Sequence, residues 1–238
     1  MIIFDKEATN PENPVFLHIP KTGGKTLWDL FERQQDTIHV WHNRYFKQYQ
    51  KPIRFFTFLR DPADRVISTY YYIRSYQRDA LYQKVNEMTL QEFVEYMQNE
   101  NIENQPYNKS DIRNIRYRTV NLATRYVSGG DPNDLEKAKH HITKHFDLVG
   151  FTDMYLESLF CMHQIYGWHF ASINRKNKTN NRPKMDSIAP NIIQSIEQVN
   201  HHDKELYEWA KQHFIKKLNS LDKDTQKELN KWIKQFNT

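Results

Sequence analysis

The segment His18-Ile19-Pro20-Lys21-Thr22-Gly23-Gly24-Lys25-Thr26-Leu27 constrains the fold more than any other. It follows the apolar run Val15-Phe16-Leu17 and leads into an amphipathic run, Leu27-Trp28 and Leu30-Phe31. A strand, a glycine turn and a helix start in that order leave unpaired backbone N–H groups and the positive end of a helix dipole aimed at one spot. Two lysines and two threonines add positive charge and hydroxyls there. The segment therefore predicts an α/β chain that holds a phosphate-like group near its N-terminus.

The rest of the pattern agrees. Residues 53–59, Ile-Arg-Phe-Phe-Thr-Phe-Leu, are almost continuously apolar and rich in β-formers, as a buried parallel strand requires. Ile38–Trp41 and Phe146–Phe151 are shorter strand candidates. A helix is expected from about Thr152, with Gly167 as its stop. Thr89-Leu90-Gln91-Glu92 has the form of a capping box, and Leu90, Phe93, Val94 and Met97 follow at helical spacing. Leu206, Trp209, Ala210 and Phe214 form a second stripe, and Leu229, Trp232, Ile233 and Phe236 a third. Asn99 to Arg118 and Ser172 to Pro190 lack clear periodicity and read as long loops. The expected architecture is a P-loop-like three-layer α/β domain over residues 1–238. A central parallel sheet is flanked by helices, with a cofactor and catalytic core over 14–185 and a helical C-terminal part over 186–238.

Composition narrows the function. The 238 residues carry a net charge of +5, spread along the chain without a basic block. That balance suits an anionic ligand better than nucleic acid. The single cysteine, Cys161, excludes an intrachain disulfide and a cysteine zinc site, and its apolar helical context reads as core. No metal site is expected. There is no long apolar stretch to span a membrane, and the N-terminus lacks the apolar region of a signal peptide, so a cytoplasmic protein is expected. The oligomeric state is not legible.

Two constellations bear on chemistry. Gly24-Lys25-Thr26 ends like a nucleotide P-loop, but Ile19 stands where G-x-x-x-x-G-K-[ST] needs its first glycine. After the strand at 53–59 the chain reads Arg60-Asp61-Pro62, which puts a cation where such an enzyme carries its magnesium-binding Asp. A kinase-like phosphotransferase using ATP and magnesium is thus the weaker alternative, and a non-catalytic anion or nucleic-acid binder a third. In the second constellation, Phe58 to Tyr72, Pro62 suits a first helical turn, and Arg60 sits at a strand end where α/β folds bind ligands. Ser68, about two turns on, is placed to share an anion with Arg60. The alternative is that Arg60 and Arg65 form ion pairs with Asp61 and Asp64.

The pair "HIPKTGG" and "FTFLRDPADRVISTYYY" resembles the carbohydrate-type sulfotransferases that use 3′-phosphoadenosine 5′-phosphosulfate, most closely the heparan sulfate and uronyl 2-O branch with its bacterial relatives. The first segment resembles the family's 5′-phosphosulfate loop and the second its 3′-phosphate motif. "DLVGFTDMYLESL" and "SINRKNKTNNRP" resemble a further family segment and the loop that closes over the cofactor. The resemblance implies that Lys21 contacts the phosphosulfate and assists the leaving group. It implies that the Thr22, Gly23, Gly24, Lys25, Thr26 and Leu27 stretch cradles the 5′-phosphate, with the Thr22 and Thr26 hydroxyls taking part. Arg60 and Ser68 would hold the 3′-phosphate. Lys178, Thr179 and Arg182 are candidates in the closing loop. Lys25 departs from the family pattern, which more often has Thr or Ser there.

Sulfuryl transfer needs a base for the acceptor hydroxyl, and histidine suits neutral pH. His39 and His42 lie between the two motifs, in the region that supplies the family's base, and His42 fits the family's His-x-x-aromatic pattern better. His18 is expected to pack beneath the loop, and His140, His141, His201 and His202 to be solvated. The implied acceptor is a glycan or small-molecule hydroxyl. Trp41, Tyr45, Tyr71 and Tyr76 are candidates to stack on sugar rings, and Arg74, Arg78, Arg113, Arg116 and Arg118 to bind acidic groups.

Overall fold

The computed structural model describes residues 1–170, 172–173 and 182–236. Among these residues five strands form one sheet: β1 (Ile2–Phe4), β2 (Val15–Leu17), β3 (Ile38–Trp41), β4 (Phe55–Leu59) and β5 (Phe146–Phe151). Their order is β1-β3-β2-β4-β5, and every neighbouring pair is parallel. The chain runs from β2 to β3 on one side, then crosses to β4 on the other. The strand order therefore reverses around β2, and the carboxyl ends of β2, β3 and β4 form the crevice where open α/β sheets bind ligands. β1 was not expected from the sequence. It is a three-residue edge strand that exists by pairing with β3.

Among the described residues eleven α-helices accompany the sheet. The first four are α1 (Gly24–Phe31), α2 (Pro62–Ser75), α3 (Tyr82–Asn86) and α4 (Leu90–Gln98). They are followed by α5 (Asn114–Thr119), α6 (Leu122–Ser128), α7 (Leu135–His145) and α8 (Tyr155–Tyr166). The last three are α9 (Pro190–Val199), α10 (His201–Asn219) and α11 (Lys223–Phe236). The expected caps are present. Thr89 and Glu92 make the reciprocal capping box of α4, and Gly167 ends α8 at φ +69°. The helix expected from Thr152 begins three residues later, and the expected loop from Asn99 contains α5.

Alternating residues of the strands face two helical layers. Phe16 and Phe56 stack with centroids 5.1 Å apart and meet Phe31 of α1 and Tyr166 of α8. On the opposite face Phe55 packs with Trp41 and Phe46, and Phe46 with His141 of α7, while Phe151 packs on Tyr207 and Phe214 of α10. Two expectations change here. Trp41 is fully buried, with its indole N–H donating to the Lys6 carbonyl at 2.9 Å, so it is not free to stack on a sugar. His141 is buried rather than solvated, and its Nδ1 lies 2.7 Å from the Val127 carbonyl. Cys161 is a buried core thiol, pushed up to about 11 by burial.

Candidate active site

The loop after β2 is built by backbone geometry that sequence makes possible. Lys21 and Gly23 adopt left-handed conformations, φ +72° and +84°, and glycine removes the steric cost at the second. Gly24 is required for a different reason. A β-carbon there would lie 2.1 Å from Nε2 of His18, so only glycine lets α1 start against that ring. The N–H groups of Thr26 and Leu27 both return to the Gly23 carbonyl, at 3.1 and 3.3 Å. Those of Gly23, Gly24 and Lys25 have no backbone acceptor among the described residues, as the first turn of a helix dictates.

The side chains divide differently from the expectation. Thr22 is fully buried, and its hydroxyl donates to the Ile19 carbonyl at 2.8 Å. Its proton braces the turn and is not available to a ligand. Thr26 is buried, Leu27 lies in the core, and Lys25 is exposed. Lys21 lies with Nζ 4.0 Å over the Tyr72 ring. Burial, reinforced by the charges of Arg60, Lys25, Arg182 and Arg118, lowers its ammonium to about 7.

Arg60 emerges from the end of β4. Its Nη1 donates to the Lys21 carbonyl at 3.0 Å and its Nε to Asp64 at 2.5 Å, so the strand end and the loop are tied together. Asp61 caps α2 by accepting the Asp64 N–H, with Pro62 in the first turn. Ser68 is buried on the same helix. Arg182 reaches the same carboxylate: its Nη2 donates to Asp64, while its Nε is buried with no partner among the described residues. Burial lowers Arg60 to about 10, and burial with the charge of Arg60 does the same to Arg182. Arg60 thus forms the ion pair with Asp64 that the sequence left open. Arg65 does not pair with Asp61 or Asp64. Fully buried, it faces Asp203 of α10 at 3.6 Å and donates to the Thr119 carbonyl. Lys178 and Thr179 lie outside the described residues.

The two candidate bases are set apart by the sheet. His42 is the first residue beyond β3, level with the loop and with Arg60. Its N–H donates to Asp5 at 2.7 Å, as does that of Asn43 at 3.0 Å, and Tyr126 donates to its carbonyl at 3.2 Å. Its Nδ1 lies 2.6 Å from Nδ1 of His18. Burial lowers its imidazolium below the ordinary value, with Asp5 acting in the opposite sense. His39 lies inside β3, paired across to Ile3 and Val15 and away from the strand ends. Asp5, at φ +49°, is a residue the sequence did not single out. Burial alone would raise its carboxyl, but the hydrogen bonds from Asn43 and His42 prevail and lower it.

Of the residues expected near an acceptor, Arg113 pairs with Asp111 at 2.6 Å, Arg118 with Asp79 at 2.8 Å, and Arg116 donates to the Met97 carbonyl. Arg74 donates to the Tyr70 hydroxyl, Tyr45 bonds to Tyr117, and Tyr71 packs edge-on against Tyr70. Tyr76 and Arg78 are exposed. Among the described residues no cluster of His, Cys, Asp or Glu is arranged as a metal centre, and no helix is long and apolar enough to cross a membrane.

A model of the sulfotransferase family matches residues 9–210. The chain belongs to the sulfotransferase family. A comparison with curated proteins returned no match. Family membership assigns a transferase for sulfuryl groups, and the matched span holds the loop, His42, Arg60 and Arg182.

Proposed function

We propose that this sulfotransferase moves a sulfuryl group from 3′-phosphoadenosine 5′-phosphosulfate to an acceptor hydroxyl, on a glycan or small alcohol, by in-line displacement. The observation that carries the reading is a half-buried excess of positive charge, Lys21, Arg60 and Arg182, beside backbone N–H groups without a backbone acceptor among the described residues and one strand end from a histidine. The orphaned Nε of Arg182 supports an anionic ligand, because a buried guanidinium N–H without an acceptor is costly. The bound donor supplies the activated sulfuryl group and a bisphosphate leaving group. Lys21 and the N–H groups of Gly23, Gly24 and Lys25 hold its 5′ side, and Lys21 neutralises charge that grows on the leaving oxygen. Arg60 and Ser68 hold the 3′-phosphate, Arg182 adds its charge beside Arg60, and Lys178 and Thr179, outside the described residues, remain candidates for contact with the donor. His42 takes the acceptor proton, since its lowered pKa leaves the ring neutral at pH 7. Tyr76 and Arg78 are the solvent-facing residues left to meet the acceptor.

The test is thermal unfolding with 3′,5′-adenosine bisphosphate and, separately, ATP, each with and without magnesium. A ligand at 100 times its Kd adds about 2.7 kcal/mol, which corresponds to roughly 5–11 °C for a chain of this size. A rise with the bisphosphate that ignores magnesium is the expected result. A rise only with ATP and magnesium would favour phosphoryl transfer, and no rise with either would oppose a nucleotide donor altogether. His42→Ala should then abolish turnover while keeping the bisphosphate shift, and His39→Ala should keep both.

A further inference from the structure

From the contact between the His18 and His42 rings, we infer that His18 is a positioning residue that fixes the tautomer of His42, so that His42 presents its Nε2 lone pair to the acceptor hydroxyl. The inference rests on the reading of His42 as the base. The two Nδ1 atoms are 2.6 Å apart. The ring planes differ by 17° and the centroids are 4.8 Å apart, close to the sum of that contact and the two ring radii. The rings therefore meet edge to edge in nearly one plane rather than face to face, as an in-plane N–H donated to a lone pair requires. Only one of the two Nδ1 atoms can carry the proton, so the two tautomers are tied to each other.

The surroundings hold both rings in place. His18 is buried, with its Nε2 side against Gly24 and its ring edge-on to Trp28 at 5.2 Å. Trp28 also closes over His42 at 5.6 Å. Ring rotation at either histidine is blocked by these contacts and by the Asp5 grip on the His42 backbone. Burial and the nearby charges of His42 and Lys21 keep His18 neutral, with a value of about 3. A neutral His18 that accepts at Nδ1 leaves His42 with Nδ1–H and a bare Nε2. During transfer the acceptor proton moves to Nε2 of His42. The Nδ1–H stays where it is and strengthens its bond to His18 as the imidazolium forms. The titratable groups around His42 are His18, Asp5 and Tyr126, with Lys21 beyond His18.

The test compares His18→Phe, which keeps a ring but removes the acceptor, with His18→Asn, whose amide oxygen can replace Nδ1. His18→Phe should lower kcat roughly 10- to 100-fold with donor KM nearly unchanged. It should also move the acid limb of the kcat profile to lower pH, because the imidazolium has lost its acceptor. His18→Asn should restore both. If His42→Ala abolishes turnover but His18→Phe keeps the native kcat and acid limb, the positioning role alone is wrong. If His42→Ala retains turnover, the base assignment fails and the positioning role with it. A measurement on the unaltered protein guards against misfolded variants. Nitrogen NMR of 15N-histidine-labelled protein should show the proton on Nδ1 of His42 and on Nε2 of His18, and the reverse assignment would overturn the inference.

Discussion

Lys21 offers the sharpest quantitative check on the donor site. Its ammonium is lowered to about 7 by burial and by four neighbouring cations, so in the free protein at pH 8 only about a tenth of the molecules carry its charge. An anion bound against it reverses the balance and returns the pKa toward the ordinary lysine range. Binding of 3′,5′-adenosine bisphosphate at pH 8 should therefore take up about 0.9 proton. At pH 8 the phosphates contribute nothing, since their second ionisation near pH 6 is complete. Titration calorimetry in buffers of different ionisation enthalpy reads this number as the slope of the observed heat against that enthalpy. Affinity should fall by up to tenfold per pH unit above about 7. Lys21→Met should bind more weakly with a slope near zero. A slope of zero at pH 8 in the unaltered protein would refute the reasoning, because it would mean that Lys21 is already charged or does not meet the anion.

Three further outcomes are expected. Gly24→Ala gains about 1 kcal/mol in helix propensity but drives a methyl into the pinned His18 ring. Overpacking of that kind costs about 1–3 kcal/mol, so the melting midpoint should fall and turnover with it; an unchanged midpoint would show that His18 is not pinned. Asp203→Ala removes the acceptor of the Ala123 and Thr124 N–H groups and strands the buried Arg65. Denaturant unfolding should show a loss of about 3–5 kcal/mol, and a loss below about 1 kcal/mol, typical of an exposed ion pair, would contradict the buried arrangement. Asp5→Asn should move the acid limb of kcat to lower pH, because Asp5 favours the charged His42. That limb should lie below pH 6.5 in the unaltered protein, since a base with a lowered pKa stays neutral until the pH falls below the ordinary histidine value.

Much of the frame was legible because it is local. The loop from His18 to Leu27 and the runs at β3, β4 and β5 declare themselves by glycine, β-branched and aromatic content within a few residues. What escaped depends on pairings distant in sequence. β1 has three residues and is defined by its partner. Asp5 reaches His42 across 37 positions, and Arg65 meets Asp203 across most of the chain. His141 looks solvated among lysines, yet it completes the buried stripe of Leu135, Ala138 and Ile142 on α7. Thr22 shows the same limit at the site itself. Its type and position suit a phosphate, but its rotamer sends the hydroxyl to Ile19. Side-chain direction inside a turn is set by backbone torsions that the sequence constrains only through its glycines.

The charge balance of the crevice links stability to function. Lys21, Lys25, Arg60 and Arg182 converge where the nearby carboxylates are Asp61 and Asp64. The lowered pKa values of Lys21, Arg60 and Arg182 mean that folding works against their charge, and Asp64 alone bonds both guanidinium groups. Such a site is destabilising until an anion arrives, so its ligand should stabilise the fold most where the cations are most confined. Neutralising Asp64 then has opposite effects on the two states. Asp64→Asn removes the internal counter-ion and should lower the midpoint of the free protein. The uncovered Arg60 and Arg182 should hold a phosphate group more firmly, so the shift produced by the bisphosphate should grow. Equal losses with and without ligand would mean that Asp64 orients the guanidinium groups for the anion instead of competing with it.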